Sequence, residues 1–426
     1  MSYQWIKILL LCSALVGCSS VSLAPIFDRC GAANALCAPV PANTTMPAAT
    51  ATPLPGTGFQ LVPEAQTSSV AAPDVAVFMP GKPLAARIAL LLPLRSETLG
   101  AAAEAVRAGF MAAYAREQEG VTVTVIATDD VAAQTLSAYL DAQASQDVIV
   151  GPLSRSGVSA IAQSGAVRIP TIALNQPMLG ARDEAAAPLP PKMLAMGLSL
   201  EDEARQVARW ASLDHPGASA FVVGANIAWQ RRAASAFTAE WRRLGLSSQS
   251  IELGLVDGYL NATALAQLRS RLQNERPVLL FVSMDAGLTR QLRQAIGTEV
   301  PVYGTSQINP LIGTDSADKL ADPLVEGLHF VDLPWQLQPD HPAVMVYPRL
   351  VTGADQKSNP DMERLYALGI DAYRVAREIA AAHEQFEIDG VTGRLAVTFG
   401  PDRASFDRIT PQAVYQDGTM LLPGMR

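Results

Sequence analysis

Short apolar runs alternate with amphipathic stretches from Ala86 onward, and this rhythm constrains the fold more than any other feature of the chain. Between the runs lie helical stripes, such as Val106, Phe110 and Tyr114, which recur every four residues. Apolar runs without polar alternation are typical of parallel strands that are covered on both faces. The alternation therefore predicts a doubly wound α/β fold with right-handed crossovers. The runs are residues 87–92, 121–126, 148–150, 171–174, 220–223, 278–282 and 300–303.

The rhythm falls into two blocks. The first carries four predicted strands and ends near Asn175, and the second begins near Met193 and continues through three strands to Tyr303. Ser199, followed by three acidic residues within the next four, predicts a helix start at the head of the second block. Two such blocks predict two lobes with a cleft between them. In sheets of this kind, ligands bind beyond the carboxyl ends of the strands.

The amino terminus predicts a signal peptide over residues 1–17. Lys7 precedes an apolar stretch, residues 8–16, which is too short for a spanning helix of about 20 apolar residues but suits a secretory signal. The sequence Leu-Val-Gly-Cys that ends at Cys18 resembles a bacterial lipobox. This resemblance implies cleavage before Cys18 and lipid on that residue, and Ser19 implies sorting to the outer membrane. An ordinary signal peptide with a chance cysteine is the alternative.

Residues 18–85 are predicted to form a lipidated linker rich in proline, alanine and threonine. Ten of the 30 prolines lie between residues 19 and 85, and only five charged residues accompany them. This composition shows neither helical nor strand periodicity and favours an extended tether. Cys30 and Cys37 lie in the linker, and in an oxidising compartment we expect them to form a small local disulfide, with free thiols as the alternative.

Charge and motif content exclude several classes of function. The chain has 32 basic and 40 acidic residues, so it lacks the basic footprint of a nucleic-acid-binding protein. Its four histidines and four cysteines show no zinc-ligand spacing, and we expect neither a metal nor another cofactor. No Gly-x-Ser-x-Gly, Walker or His-Glu-x-x-His pattern occurs. The sequence therefore favours recognition rather than catalysis, and we assign no catalytic residue.

Polar residues follow several predicted strands and are candidate ligand contacts in the cleft. In the turn at residues 151–156, free backbone N–H groups, two hydroxyls and Arg155 are suited to a carboxylate. The alternative is that Ser154 or Ser156 caps the next helix, and that Asn175 and Gln176 bond only to loop backbone. The full set of candidates is Ser154, Arg155, Ser156, Asn175, Gln176, Ser283, Asp285, Thr305 and Ser306.

Several segments, taken in order, resemble the LppC, or LpoA-type, penicillin-binding-protein activators over about residues 86–426. The resemblance implies a type I periplasmic-binding-protein-like fold and a regulator that binds and stimulates a class A penicillin-binding protein, and is not itself an enzyme. Better-known members carry a large helical-repeat domain before this one, whereas a proline-rich stretch occupies that place here. The segments are residues 151–153 (GPL), 170–175 (PTIALN), 198–204 (LSLEDEA), 303–306 (YGTS), 326–335 (EGLHFVDLPW), 365–373 (LYALGIDAY) and 390–395 (GVTGRL).

Analogy with that fold divides the chain between the lobes. We expect the first lobe to contain residues 86–195 and 306–385, and the second to contain residues 196–305 and 386–426. Trp335 is a candidate contact for a protein partner because aromatic residues are enriched at binding hot spots. The alternative, which we favour, is a buried wedge beside the hinge. The rival function is a receptor that captures an amino acid or a related small metabolite in the cleft.

Overall fold

The structure is a computed structural model, and it describes residues 85–178, 188–310, 322–350, 359–400 and 403–423. The predicted signal peptide, the lipidation site Cys18 and the predicted pair Cys30 and Cys37 lie outside the described residues. Nearly all of the predicted linker lies outside them as well.

The first lobe is built on a sheet of five parallel strands, in the order β2-β1-β3-β4-β5. Its central strands carry Val, Ile and Leu on both faces because helices or loops cover each face, as the continuous apolar runs predict. The strands are β1 (Ala86–Leu92), β2 (Val121–Ala127), β3 (Val148–Val150), β4 (Thr171–Ala173) and β5 (Met193–Ala195).

Helices cover both faces of each sheet. In the first lobe α1 and α10 share one core with the sheet, and α2 and α3 share the core on the opposite face. In the second lobe α4 and α5 cover one face, and α6 and α7 cover the other. The helices are α1 (Gly100–Arg116), α2 (Ala132–Gln143), α3 (Arg155–Gln163), α4 (Leu200–Asp214), α5 (Ala228–Arg243), α6 (Ala262–Glu275), α7 (Ala286–Ile296), α8 (Pro334–Leu337), α9 (Pro342–Met345) and α10 (Pro360–Ala380).

Two glycines let α1 and α10 approach closely. A Cβ atom at Gly109 would lie 1.9 Å from the carbonyl oxygen of Tyr366, and one at Gly369 would lie 2.1 Å from that of Val106. Both distances are far below van der Waals contact, so only glycine fits at these two positions. The long carboxyl-terminal helix is thereby fixed against the first lobe, although most of the chain between them belongs to the second.

The second lobe is built on a sheet of seven strands, in the order β17-β16-β12-β11-β10-β6-β7. The five strands from β12 to β7 are parallel, whereas β16 and β17 join as antiparallel strands at one edge. Two short 3₁₀ helices, Ser306–Ile308 and Pro323–Val325, precede β12 in the chain. The strands are β6 (Ser219–Ala225), β7 (Ser247–Leu253), β10 (Leu279–Ser283), β11 (Val302–Gly304), β12 (Leu328–Val331), β16 (Gln412–Gln416) and β17 (Thr419–Leu421).

Two antiparallel elements complete the described fold. A three-stranded sheet, β13 (Gln385–Asp389), β14 (Arg394–Phe399) and β15 (Ala404–Ile409), packs its apolar side chains into the core of the first lobe. A short hairpin, β8 (Leu255–Val256) and β9 (Tyr259–Leu260), follows β7 in the second lobe.

The strand pairing places two of the three crossings between the lobes later in the chain than the sequence predicts. The analogy predicts residues 306–385 in the first lobe, but β12 pairs with β11 in the second sheet, so the chain returns only at Asp332. It predicts residues 386–426 in the second lobe, but β13 to β15 pack on the first, and the chain crosses at Thr410. The first crossing lies between Ala195 and Ser199.

Candidate functional site

The turn after β3 brings the predicted Ser-Arg-Ser segment to the cleft edge of the first lobe. Gly151 has φ +118°, and a Cβ atom there would lie 2.0 Å from the carbonyl oxygen of Leu91, so the turn requires glycine. The Ser154 hydroxyl accepts a hydrogen bond of 3.2 Å from the Gly157 N–H and caps α3. Ser156 donates to the carbonyl of Asp130 at 3.4 Å. Both hydroxyls are used inside the lobe, which matches the capping alternative for Ser154.

An ion bridge joins the two lobes at a place that we call the mouth of the cleft, in the same helical turn of α4 that contains Glu203. Glu201, in the first turn of α4 in the second lobe, lies 3.7 Å from Nη2 of Arg155 in the first lobe. The same Oε1 atom accepts a hydrogen bond of 2.7 Å from Nε of Arg232 on α5. The exposed fractions of the Arg155, Glu201 and Arg232 side chains are 31%, 18% and 34%, so water still reaches the bridge. A carboxylate of the protein itself thus lies beside the predicted anion-binding arginine.

Asn175 and Gln176 follow β4, as predicted, but the Asn175 side chain bonds mainly to the loops. Its Nδ2 donates to the Leu153 carbonyl at 3.0 Å, and its Oδ1 accepts from the Gln176 N–H at 2.9 Å and from Nε of Arg155 at 3.3 Å. Gln176 lies against a small cavity at the hinge instead. Asn175 therefore orients the Arg155 side chain and also satisfies two backbone groups of the loops.

The predicted residues of the second lobe also bond internally. The Asp285 carboxylate accepts a hydrogen bond of 2.8 Å from the Leu288 N–H and caps α7, and Thr305 caps the 3₁₀ helix that follows β11. Ser283 is fully buried and donates to the carbonyl of Val223 at 3.4 Å. These side chains are not brought together with Arg155 into one ligand site.

The second crossing carries a buried charged cluster that we call the hinge cluster: Glu203, Ser306, Asp332 and Arg364. Nε and Nη2 of Arg364 bind both carboxylate oxygens of Asp332, at 3.2 and 2.6 Å, and Nη2 also donates to the carbonyl of Ser306 at 3.2 Å. Nδ2 of Asn309 donates to Asp332 at 2.8 Å. Asp332 is fully buried and Arg364 is 5% exposed. The pair therefore links α10 of the first lobe to the strand ends of the second.

Glu203 is the titratable member of the hinge cluster. Burial raises the pKa of its carboxyl to about 7, although the Ser306 N–H, which donates to Oε2 at 2.8 Å, opposes the rise. The negative charge of Asp332 adds to the rise, and the charge of Arg364 opposes it. Glu203 therefore changes charge near neutral pH, at the point where the lobes are joined.

The other two crossings are tied by side chains from the facing segments. Arg408 donates to the carbonyls of Met196 and Gly197 at 2.8 and 2.9 Å. Nε2 of Gln206 donates to the carbonyl of Thr410 at 2.6 Å, and its Oε1 accepts from the Thr410 N–H and hydroxyl. A cavity of about 150 Å³ lies between these two ties. Each connection between the lobes is therefore held by hydrogen bonds to backbone groups.

Trp335 is fully buried in the core of the first lobe, so it is not an exposed contact and the expectation of a partner contact is corrected. Its ring packs 5.3 Å from that of Tyr366, and the guanidinium of Arg349 covers it at 4.3 Å. Trp335 follows the second crossing, at Asp332, by three residues. Its position matches the buried wedge that we favoured.

The described residues offer neither a metal centre nor a membrane span. No group of three or more His, Cys, Asp or Glu side chains among them is arranged to hold a metal ion. No helix in the described part of the chain is both long and apolar enough to cross a bilayer.

A family model described as "LppC putative lipoprotein" matches residues 81–402, which is most of the chain. The chain belongs to this family. The membership confirms the family that the ordered sequence segments predict. It also supports a lipid-anchored protein of the cell envelope, because the family is one of lipoproteins.

Two curated relatives of this LppC protein share one name. This LppC protein is 27% identical over 348 residues to the "Penicillin-binding protein activator LpoA" of Photobacterium profundum. The alignment covers 73% of this chain and 53% of the relative. The chain is 28% identical over 346 residues to the protein of the same name in Vibrio cholerae, covering 72% and 54%. The chain therefore spans about half the length of the curated relatives it matches.

Solved structures confirm the two-lobed α/β fold. The full-length LpoA of Haemophilus influenzae superposes with a TM-score of 0.62 at 21% identity, covering 79% of this chain and 58% of that one. A second structure, titled as a "putative branched-chain amino acid ABC transporter" from Chromobacterium violaceum, is 34% identical, with a TM-score of 0.59. It covers 77% of this chain and 99% of that one. The parallel-sheet lobes of the LppC protein thus match periplasmic-binding-protein-like structures.

The charged residues that hold the lobes carry little signal in the sequence. Glu201 and Glu203 stand out only as acids in the first turn of α4, where they suit the helix dipole. Arg232 and Arg364 lie far along the chain from their partners, at separations of 31 and 32 residues. Only the acidic run after Ser199 gave any signal, and it did not distinguish a buried carboxylate from a solvated one.

Proposed function

We propose that this LppC protein is an outer-membrane lipoprotein that binds a class A penicillin-binding protein and activates it allosterically. The observation that carries the proposal is that the chain, which the family model matches over residues 81–402, is also similar over 72 to 73% of its length to proteins named penicillin-binding protein activator. The proposal makes the protein a regulator of a peptidoglycan synthase and not an enzyme itself.

The chemistry of the cleft supports a role in protein recognition. Ser154 and Asp285 are used as helix caps, and Arg155 faces a carboxylate of the chain itself. A cleft that is bridged by its own Glu201 has less free hydrogen-bonding capacity for a small ligand. Surface contacts with a partner protein do not need that capacity.

Activation requires a difference in affinity between two states of the synthase. The protein must bind the active conformation more tightly than the resting one, because a ligand with equal affinity for both states shifts no equilibrium. The predicted linker would let an anchored domain reach a synthase at a distance from the outer membrane.

The test uses the purified full-length protein in detergent with each class A synthase of the same cell. We expect saturable binding to at least one synthase, together with a faster rate of glycan polymerisation or a larger crosslinked fraction. An unrelated lipoprotein in the same detergent is the control. No binding to any of these synthases, or binding without a change in either activity, would contradict the proposal.

The anchor is tested separately. We expect the wild-type protein to incorporate radiolabelled palmitate and to sediment with outer membranes, whereas Cys18→Ser should remain unlabelled and leave the membrane fraction. Several acyl chains anchor a protein stably, so the difference should be nearly complete. Equal labelling of both proteins would exclude Cys18 as the lipidated residue.

A receptor for an amino acid is the second candidate, because the Chromobacterium violaceum structure that is 34% identical carries a transporter title. A ligand carboxylate in the cleft would compete with Glu201 for Arg155. If the protein is a receptor, branched-chain amino acids should raise its melting temperature, and Glu201→Gln should bind them more tightly. A ligand at 100 times its Kd stabilises by about 2.7 kcal/mol, which such a screen detects. No shift with either protein contradicts this candidate.

A further inference from the structure

A groove of about 380 Å³ lies on the second lobe, between α5 and the edge strand β7. Gly224 and Ala234 are among the small residues that line it, so its floor is close to backbone. Its volume falls in the range of about 300 to 1,000 Å³ that is typical of ligand sites. None of the candidate cleft residues except Ser283 contributes to it.

Two buried polar atoms at this groove have no hydrogen-bond partner among the residues that the structure describes. They are Nε2 of Gln230 and Oγ1 of Thr238, both on residues that line the groove. Gln230 is fully buried, and its Oε1 accepts a hydrogen bond of 2.7 Å from the Ala225 N–H. The side chain is therefore held in place while its amide donors are unused. Leaving such groups unpaired is costly, and a ligand that pairs them removes the cost.

The strand beside the groove is the last strand of its sheet in the described part of the chain. The backbone N–H and C=O groups on the outer side of a terminal strand are free to pair with another extended chain. Residues 247–253 contain neither lysine nor proline, which proteins commonly place on exposed edges to prevent such pairing. An extended peptide is therefore a suitable occupant.

Opposite charges mark the two ends of the groove. Glu252 lies in register with Gly224, next to the Gln230 end, whereas Arg242 lies twelve residues further along α5 than Gln230. Neither Glu252 nor Arg242 forms an ion pair with another described residue. Arg231 also lines the Glu252 end, and its Nη1 donates to Oδ1 of Asn226 at 2.6 Å.

The distances suit a short chain. Twelve helical residues span about 18 Å, and the Arg242 side chain leans toward the helix amino terminus, which shortens the gap. An extended peptide of three to four residues spans about 10 to 14 Å. Its ammonium group would then lie near Glu252 and its carboxylate near Arg242.

We propose that this groove binds a short extended peptide with free termini, three to four residues long, whose backbone pairs with β7 and with the unpartnered groups of Gln230 and Thr238. The site is distinct from the mouth of the cleft, and its occupation does not depend on the proposed partnership with a synthase. No bond is made or broken in the peptide.

The first experiment titrates the full-length protein in detergent with tri-alanine and tetra-alanine by calorimetry. Free alanine, N-acetyl-tri-alanine amide and a tri-alanine that is N-methylated at its peptide bonds are the matched controls. We expect saturable binding of the two peptides with a Kd at or below about 1 mM, and binding at least about tenfold weaker for every control. Hydrogen exchange should slow in residues 247–253 when tri-alanine is present.

Variants then locate the site. Thr238→Val removes an unpartnered hydroxyl, so we expect an unchanged or higher melting temperature for the free protein and an affinity about three- to tenfold lower for tri-alanine. Gln230→Glu keeps an acceptor for the Ala225 N–H but replaces the donor, and should lower the affinity by about tenfold or more. Ser235→Trp, at an exposed position in the groove, should abolish binding, whereas Thr263→Val on α6 should bind normally.

Absence of saturable binding up to about 10 mM peptide would overturn the proposal. Equal affinity for the blocked or N-methylated peptide, or an affinity that Thr238→Val and Ser235→Trp leave unchanged, would overturn it as well. Failure of synthase binding with normal peptide binding would contradict only the proposed function.

Discussion

The hinge and the mouth of the cleft both join the lobes through arginine–carboxylate pairs, but the two regions differ in burial. At the hinge, Arg364 and Asp332 are almost excluded from solvent and are bound through two parallel hydrogen bonds. At the mouth, Arg155 and Glu201 are partly exposed and 3.7 Å apart. A buried pair is costly to break, whereas an exposed pair contributes about 0 to 1 kcal/mol.

The difference indicates where the orientation of the lobes is fixed. Hydrogen bonds to backbone groups hold all three crossings. The mouth, in contrast, can open at little cost. Separating the lobes would therefore cost less at the exposed Arg155–Glu201 pair than at the buried Arg364–Asp332 pair.

The largest effect should follow from Arg364→Met, which leaves the buried Asp332 carboxylate without its cation. We expect the free energy of unfolding to fall by about 3 to 5 kcal/mol, measured by urea denaturation at neutral pH. Arg107→Met is the matched control, because Arg107 forms an exposed pair with Glu104 and should lose less than about 1 kcal/mol. A similar loss of stability in both variants would mean that the buried Arg364–Asp332 pair contributes no more than an exposed pair.

The next effect concerns the pH dependence of the hinge. The folded pKa of Glu203, about 7, lies above its ordinary value of 4.5. The folded state therefore binds this proton more tightly than the unfolded state. The resulting stabilisation is fully present below pH 4.5, and it is lost as the pH rises through 7. The total change attributable to this group is about 3 kcal/mol.

Glu203→Gln tests this dependence, because the amide oxygen can still accept from the Ser306 N–H while the titration is removed. Urea denaturation between pH 4.5 and 8 should show the wild-type protein losing stability relative to the variant as the pH rises. Hydrogen-bonding neighbours lower the pKa values of Asp130 and Asp147, so both carboxyls titrate below this pH range. Their contributions are the same in both proteins and cancel in the difference in stability. If the free energies of unfolding of the wild-type protein and of Glu203→Gln change in parallel between pH 4.5 and 8, Glu203 does not titrate in this range and the prediction is wrong.

The contrast between the regions also shows how far the sequence could be interpreted. The apolar runs predict β1, β3 and β10 because these strands are buried on both faces, and Ser199 predicts the start of α4 through a capping bond that the structure contains. Local chemistry was sufficient for these elements. The fold class followed from them, whereas the family was identified by the resemblance of the ordered sequence segments.

The missed features depend on contacts between distant segments. β7 is a polar edge strand, Ser247–Leu253, so it carries no continuous apolar run. β12 is only four residues long and contains His329, and the sheet that it joins depends on pairing with β11. A charge at Asp332 or Arg364 is buried only because the crossing brings the two together. Periodicity reports none of this, and the boundaries of the lobes were therefore misplaced.

A smaller effect is expected at the third crossing. Gln206→Ala removes the side chain that bonds to Thr410 in three ways, and the free energy of unfolding should fall by about 1 to 2 kcal/mol. Gln118→Ala, at an exposed position with a single bond to the Ala115 carbonyl, is the control and should change it by about 0.5 kcal/mol or less. A change at Gln206 as small as the control would show that this crossing does not contribute to the hinge.

The smallest global effect should come from Glu201→Gln at the mouth. The variant loses the ion pairs with Arg155 and Arg232, and its free energy of unfolding should fall by less than about 1 kcal/mol. Hydrogen exchange should nevertheless quicken at the start of α3 and α4, because opening of the mouth no longer separates opposite charges. Exchange unchanged at these segments, or a stability loss as large as that of Arg364→Met, would remove the distinction between a weakly bridged mouth and a fixed hinge.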